Sequence, residues 1–384
     1  MRNTRFLAVA AVAAAAALPF LIADRDAAQA HASCTSRFTY NENVFPILRD
    51  RCGTCHITGG AAPMTLLTYK DATQWASAMR DELTTERMPP WHVDPVSPPV
   101  QHSNPITASE INMVIDWGAC NTPHGNLAAT LPTLKYTPEW KLGEPDLKLQ
   151  MPETHTVGAD VRDETINVSI PTGTSEVRWV KAVDLMPNAI AMVRDAVISV
   201  DNGPVLALWE PGNDPVAAPA GTAFKLAGGA NIHLQIHYKK NYLDESKAIS
   251  DRSTIGLYFT SAPAAGHELQ AVNVAPTDEN ASAPRTFTQP LPSAARIVAL
   301  RPMLDQPYSS VVVNAVGANG QRTPLLDLQD AWPQWFRRYW LQNPIAVPAG
   351  ATLEVRVTPR PVDPTEPRPV KRFPLDVGVD YIPQ

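Results

Sequence analysis

Cysteine is scarce in this chain, and two of its four cysteines share one short motif, Cys52-Gly53-Thr54-Cys55, followed directly by His56. C-x-x-C-H is the attachment motif of c-type haem. Thiols at this spacing add across the two haem vinyl groups, and the adjoining imidazole is thereby held as the proximal ligand of the iron. A redox dithiol or a chance pattern is the competing reading. The motif predicts one covalent haem on Cys52 and Cys55, with His56 on the iron.

A sixth ligand has to come from downstream, and a Met thioether opposite His raises the potential of such an iron. The candidates are Met64, Met79, Met88 and Met113. Met79 and Met113 fall on helical apolar stripes and read as core. Met88 lies in Arg87-Met88-Pro89-Pro90-Trp91, where the prolines forbid helix and favour an extended backbone that carries a thioether across a haem face. Met88 is the first choice and Met64 the second, with His92 or an open position as alternatives. The remaining thiols, Cys34 and Cys120, flank this region. Outside the cytoplasm leftover thiols are expected oxidised, as a Cys34 to Cys120 disulfide, and two free buried thiols are the alternative.

The elements that must position these residues are helical up to about residue 125. Val44, Ile47, Leu48 and Arg51 lead into Cys52 at helical spacing, and Ala72, Trp75, Ala76, Met79 and Leu83 form one stripe over Tyr69 to Leu83. Thr107-Ala108-Ser109-Glu110 is a capping box before Ile111, Val114, Ile115 and Trp117. Residues 126–141, with Pro132 and Pro138, read as a linker. From 142 onward short, alternating or β-branched segments separated by Gly, Pro and Asn predict antiparallel sandwiches, broken near 264–290. His233, Gln235 and His237 share one face of such a strand, which puts the two imidazoles ~13 Å apart, too far to share one ion.

Composition bounds the class. The 384 residues are 44% hydrophobic and 18% charged with a formal net charge of -6, which excludes disorder and a basic nucleic-acid surface. The 38 prolines disfavour long helices over most of the chain. Residues 1–32 open on Arg2 and Arg5, continue through an apolar run from Phe6 to Ala23 and end in small-residue sites, as a secretory signal peptide does; a membrane anchor is the alternative. The expectation is an exported protein, periplasmic or secreted and from a Gram-negative bacterium, with no membrane span once the signal is cleaved.

The helical region resembles a known family in Phe45-Pro46-Ile47-Leu48, Ala62-Pro63-Met64-Thr65-Leu66-Leu67-Thr68-Tyr69, Met88-Pro89-Pro90-Trp91, and Ser109-Glu110-Ile111 through Trp117-Gly118. It looks like the bacterial cytochrome c domain fused to copper type II, ascorbate-dependent monooxygenase-like modules. The rest is similar to the peptidylglycine and dopamine monooxygenase fold in Trp209-Glu210-Pro211-Gly212, Leu234-Gln235-Ile236-His237-Tyr238, Asp251-Arg252-Ser253 and Ile255-Gly256-Leu257-Tyr258-Phe259. The resemblance implies a small all-α cytochrome c domain (33–125) followed by two all-β jelly-roll sandwiches (142–270 and 285–384).

In that family one copper takes a His-His pair and the histidine of L-Q-x-H-Y, and the other takes His-x-His and a Met. His237 matches the L-Q-x-H-Y histidine and is expected as a vestigial copper ligand. Arg194 and Asp195 stand where the His-His pair belongs, and Met303-Leu304-Asp305 where His-x-His belongs. The sandwiches hold only His155, His233, His237 and His267, too few for two coppers. Copper is therefore not expected. The resulting expectation is an electron carrier with a periplasmic redox partner protein, its β module a docking scaffold that takes a small-molecule or protein ligand. The alternatives are a haem-fed copper monooxygenase with an altered metal site and, more weakly, peroxidase-like work at an open haem iron.

Overall fold

The computed structural model describes residues 34–90, 93–102, 106–277, 283–361 and 371–384. The expected signal peptide, Trp91 and His92 lie outside the described residues. The helical elements are a π-helical turn (Tyr40–Val44), α1 (Phe45–Ile47), a second π-helical turn (Leu48–Cys52), α2 (Tyr69–Gln74), α3 (Ala76–Thr84) and α4 (Ala108–Ala119). Thr107 caps α4 in a full capping box with Glu110, which satisfies two orphan N–H groups at the helix start. The stripe from Tyr69 to Leu83 is cut at Trp75, whose backbone (φ -100°, ψ 7°) leaves the helical region.

The strands are β1 (Leu147–Gln150), β2 (His155–Val157), β3 (Asp163–Pro171), β4 (Arg178–Met186), β5 (Val193–Val200), β6 (Val205–Trp209), β7 (Phe224–Leu226), β8 (Asn231–Lys239), β9 (Ile249–Asp251), β10 (Thr254–Thr260), β11 (Gln270–Val274), β12 (Arg285–Pro290), β13 (Ala295–Met303), β14 (Tyr308–Val316), β15 (Arg322–Ala331), β16 (Tyr339–Val347), β17 (Thr352–Pro359) and β18 (Asp376–Pro383). They form four four-stranded sheets ordered β1-β10-β4-β7, β3-β8-β5-β6, β11-β18-β13-β16 and β12-β17-β14-β15, with β2 and β9 as a separate pair. β11, inside the stretch read as the break, pairs with β18.

The expectation of a small all-α domain followed by two all-β jelly-roll sandwiches is corrected. Strand takes 39% of the chain and helix 12%, and the four sheets give a four-blade, propeller-like arrangement. Proline is the physical reason that the helical region, which keeps a core of its own around Tyr40, Leu48 and Trp117, does not stand apart from the sheets. Pro89, Pro90, Pro95, Pro98 and Pro99 remove helix donors and leave an extended stretch that reaches into the sheets, bridging Val93 to Leu328 and Val100 to Leu341.

Alternation builds the cores. On β8 Ile232, Leu234 and Ile236 are fully buried in the cluster shared by the first two large sheets. Val298, Ala299, Trp340 and Ile382, from the later sheets, complete that cluster. A buried ion cluster joins the same parts. Asp380 is bound by Arg301 at 3.1 Å and Arg338 at 2.8 Å, and Arg338 also donates to the carbonyls of Val205 and Leu206.

Candidate functional site

Cys52 ends the second π-helical turn, and the chain then reverses so that the N–H groups of Cys55 and His56 both donate to the Cys52 carbonyl. Both thiols of the pair are free and half-buried. Burial pushes the Cys52 thiol up to about 12 and the Cys55 thiol up to about 11, the opposite of the low-pKa thiolate that dithiol redox chemistry uses. Burial also lowers the His56 imidazole, which keeps it in the neutral form that binds metals. The His56 Nδ1 lies 3.3 Å from the Met64 carbonyl, which leaves Nε2 as the ligating atom.

Met79 is buried in the helical core, with Met64 and Met113 packed against it. Met88 is half-buried; its neighbours Arg87 and Pro90 line a small crevice with Pro302, Leu304, Trp332 and Trp335 of the later sheets. The Cys34–Cys120 disulfide is present, with Cα atoms 4.7 Å apart.

The motif is packed against the first β half. Cys55 Sγ donates to the Pro211 carbonyl at 3.3 Å, and the Arg194 guanidinium donates to the Ala61 carbonyl at 3.1 Å and the Ala191 carbonyl at 3.0 Å. Arg194 reaches out because it is the extra residue of a bulge, the β5–β8 register stepping from Val193–Tyr238 to Asp195–His237. A bulge re-aims a side chain in this way.

His237 is buried and carries a carboxylate on each ring nitrogen, Asp195 on Nδ1 at 2.8 Å and Asp163 on Nε2 at 2.9 Å. Asp195 is in turn held by both guanidinium nitrogens of Arg372. His155 is engaged elsewhere, on Glu164 at 3.0 Å and stacked on Tyr238. Asp305 accepts from the Tyr308 hydroxyl at 2.7 Å. The reading of the sheets as a metal-binding, monooxygenase-like module is corrected accordingly. Among the described residues no group of three or more His, Cys, Asp and Glu could hold a metal ion. The β-rich architecture with few helices likewise lends the cytochrome c and haem reading no support, so that reading rests on the local chemistry of Cys52, Cys55 and His56.

Sequence reasoning assigned no role to Asp163, Asp184, Glu210 or Arg372. The Trp209-Glu210-Pro211-Gly212 segment was visible as a motif, and its partner Cys55 was not. Among the described residues no helix is long and apolar enough to cross a membrane.

No protein-family model matches the chain, and no curated protein matches it. Among solved structures it shows likeness to the major capsid protein P2 of bacteriophage PM2 (12% identity, 62% of this chain and 96% of that one, TM-score 0.28). It also shows likeness to a two-domain protein of unknown function from Bacteroides fragilis (11% identity, 58% and 85%, TM-score 0.17). A third is the insecticidal delta-endotoxin Cry8Ea1 of Bacillus thuringiensis (9% identity, 72% and 63%, TM-score 0.18). Likenesses of this size carry no argument.

Proposed function

We propose that the chain is an exported electron carrier with one covalent c-type haem, its β part serving as the scaffold that docks a periplasmic redox partner. The observation that carries the reading is local: two free thiols flank the Cys52–Cys55 turn, and the His56 ring beside them is oriented through Nδ1 by the Met64 carbonyl. Gly212 is part of the fit, since a side chain there would meet the Cys55 sulfur. Cys52 and Cys55 would hold the group as thioethers and His56 would ligate its iron. When bound, the haem supplies a one-electron ferric–ferrous couple.

Met88 is the proposed sixth ligand. The Met64 carbonyl lies against His56 Nδ1, and Met88, in the Met88-Pro89-Pro90 stretch, would supply the thioether on the iron. Copper is not part of the proposal, because both nitrogens of His237 are already engaged by carboxylates and Arg194 and Asp195 stand in the places of the family's histidine pair. The test is expression in a host that matures c-type cytochromes, followed by denaturing electrophoresis with haem staining. A stained band that Cys52→Ala and Cys55→Ala both remove is the expected result, and a colourless band refutes the proposal. Met88→Ala should then abolish the weak long-wavelength ferric band of Met ligation; loss in Met64→Ala instead would reassign the ligand.

A further inference from the structure

Beside the Cys52–Cys55 turn lies a cleft of about 380 Å³, walled by Gly53, Thr54, Tyr136, Asp184, Trp209 and Ile190. This volume is within the range of small-molecule sites, which combine apolar walls with a few placed polar groups. The cleft lies where three stretches of chain meet: the haem-motif turn, the segment after residue 134, and the adjoining ends of β4 and β6. We propose that it is a binding site for a small organic cation, whose ammonium rests on Asp184 and whose apolar body lies against Trp209, Tyr136 and Ile190.

The charges at the cleft decide the ligand class. Glu139 is ion-paired with Lys141 at 2.6 Å. Glu210, fully buried, acts on the buried guanidinium of Arg337. Asp184 is different. It is 5% exposed, its hydrogen bonds come from the Leu185 and Lys141 backbone and from the Trp209 side chain, and the other charge that bears on it is the repelling carboxylate of Asp214. Burying a carboxylate without a cation is costly. A bound ammonium would oppose both the desolvation and the repulsion, and the Trp209 and Tyr136 rings favour a cation over a neutral molecule of the same shape. Burial raises the Asp184 carboxyl to about 6, so the group is ionised at neutral pH. Lys135 at the rim is exposed, so solvent screens its repulsion of an incoming cation, and it is not among the charges that bear on Asp184.

The inference does not depend on the haem, since polypeptide forms every wall, and haem staining reports on the other reading separately. The experiment is calorimetric titration of the full chain at pH 8 with benzylammonium and, as its neutral counterpart, benzyl alcohol. Saturable binding of benzylammonium is expected, about tenfold or more tighter than benzyl alcohol and weakened to a similar degree in Asp184→Asn, as a lost contact of about 1.4 kcal/mol predicts. No binding, equal binding of the two probes, or an unchanged affinity in a folded Asp184→Asn overturns the proposal. Should that variant not fold, Ile190→Lys decides the matter by placing an ammonium in the cleft: loss of benzylammonium binding supports the site, and retained binding overturns it.

Discussion

The sulfur of Cys55 lies 3.3 Å from the carbonyl oxygen of Pro211, 156 residues further along the chain. The adjoining Gly212 has φ +79°, and a Cβ there would sit 2.5 Å from the same sulfur. Glycine is therefore required twice, for its left-handed backbone and for the close approach. Gly212→Val should lower stability by about 2 kcal/mol or more from backbone strain alone, and it should also lower the haem-to-protein ratio of the matured chain several-fold. Urea unfolding and haem staining against total protein measure the two effects. An unchanged ratio would show that the Pro211–Gly212 turn does not shape the attachment site.

The Cys34–Cys120 bridge closes a separation of 86 residues, and in the chain-entropy model a loop of this size contributes about 4 to 5 kcal/mol. Replacing both cysteines by Ser should lower the urea midpoint accordingly. The loss should concentrate at the α4 end, where the Ser36 N–H donates to the Cys120 carbonyl and the Ser36 hydroxyl to Asp116. Hydrogen exchange confined to another part of the chain would argue against this placement.

Asp195 is 2% exposed and connects His237 of β8 with Arg372 of the last described segment. Each ring nitrogen of His237 faces a carboxylate, and Asp195 faces Arg372 as well, so the buried cluster alternates acid and base. Asp195→Ala should cost about 3 kcal/mol or more, because it strands buried partners rather than removing a favourable contact alone. Combining it with Arg372→Met should cost less than the sum of the single changes. Additive losses in the double-mutant cycle would mean that the two side chains do not interact.

Local patterns were legible and distant partners were not. The capping box at Thr107 and Glu110 is visible because its two members are three residues apart, and the inward set Ile232, Leu234 and Ile236 follows from alternation. The Cys34–Cys120 pairing followed from counting thiols in a chain expected to be exported. In contrast, the pairing of Asp195 with Arg372 spans 177 residues, and no periodicity encodes it. Arg194 was read only as a lost copper ligand, because the bulge that turns it toward Ala61 depends on the register of β5 against β8. Apolar stripes report that the helices share a buried face, and Tyr40, Leu48 and Trp117 do build that core, but they say nothing of where the chain beyond α3 goes. Pro89 and Pro90 signalled extended chain, but the strands that the following stretch bridges lie more than 200 residues away.

The carboxyl of Asp184 supplies a pH signature that can be read without any ligand. Burial raises it from 3.8 to about 6, so between these values the folded state holds a proton that the unfolded chain has released. Stability contributed by the protonated group is complete below about pH 4 and declines as pH rises through about 6, by roughly 3 kcal/mol at 1.36 kcal/mol per unit. Asp184→Asn keeps the shape and an acceptor for the Leu185 N–H while abolishing the titration. The variant should therefore match the wild type near pH 4 and exceed it by up to about 3 kcal/mol at pH 8. Urea unfolding of both proteins at the two pH values gives the difference, in which the titrations of all other groups cancel. A constant difference across that range would mean that Asp184 does not ionise at a cost in the folded chain. With the expected result in hand, benzylammonium at saturating concentration should reduce the gap at pH 8, because the bound cation stabilises the ionised wild-type site and not the amide.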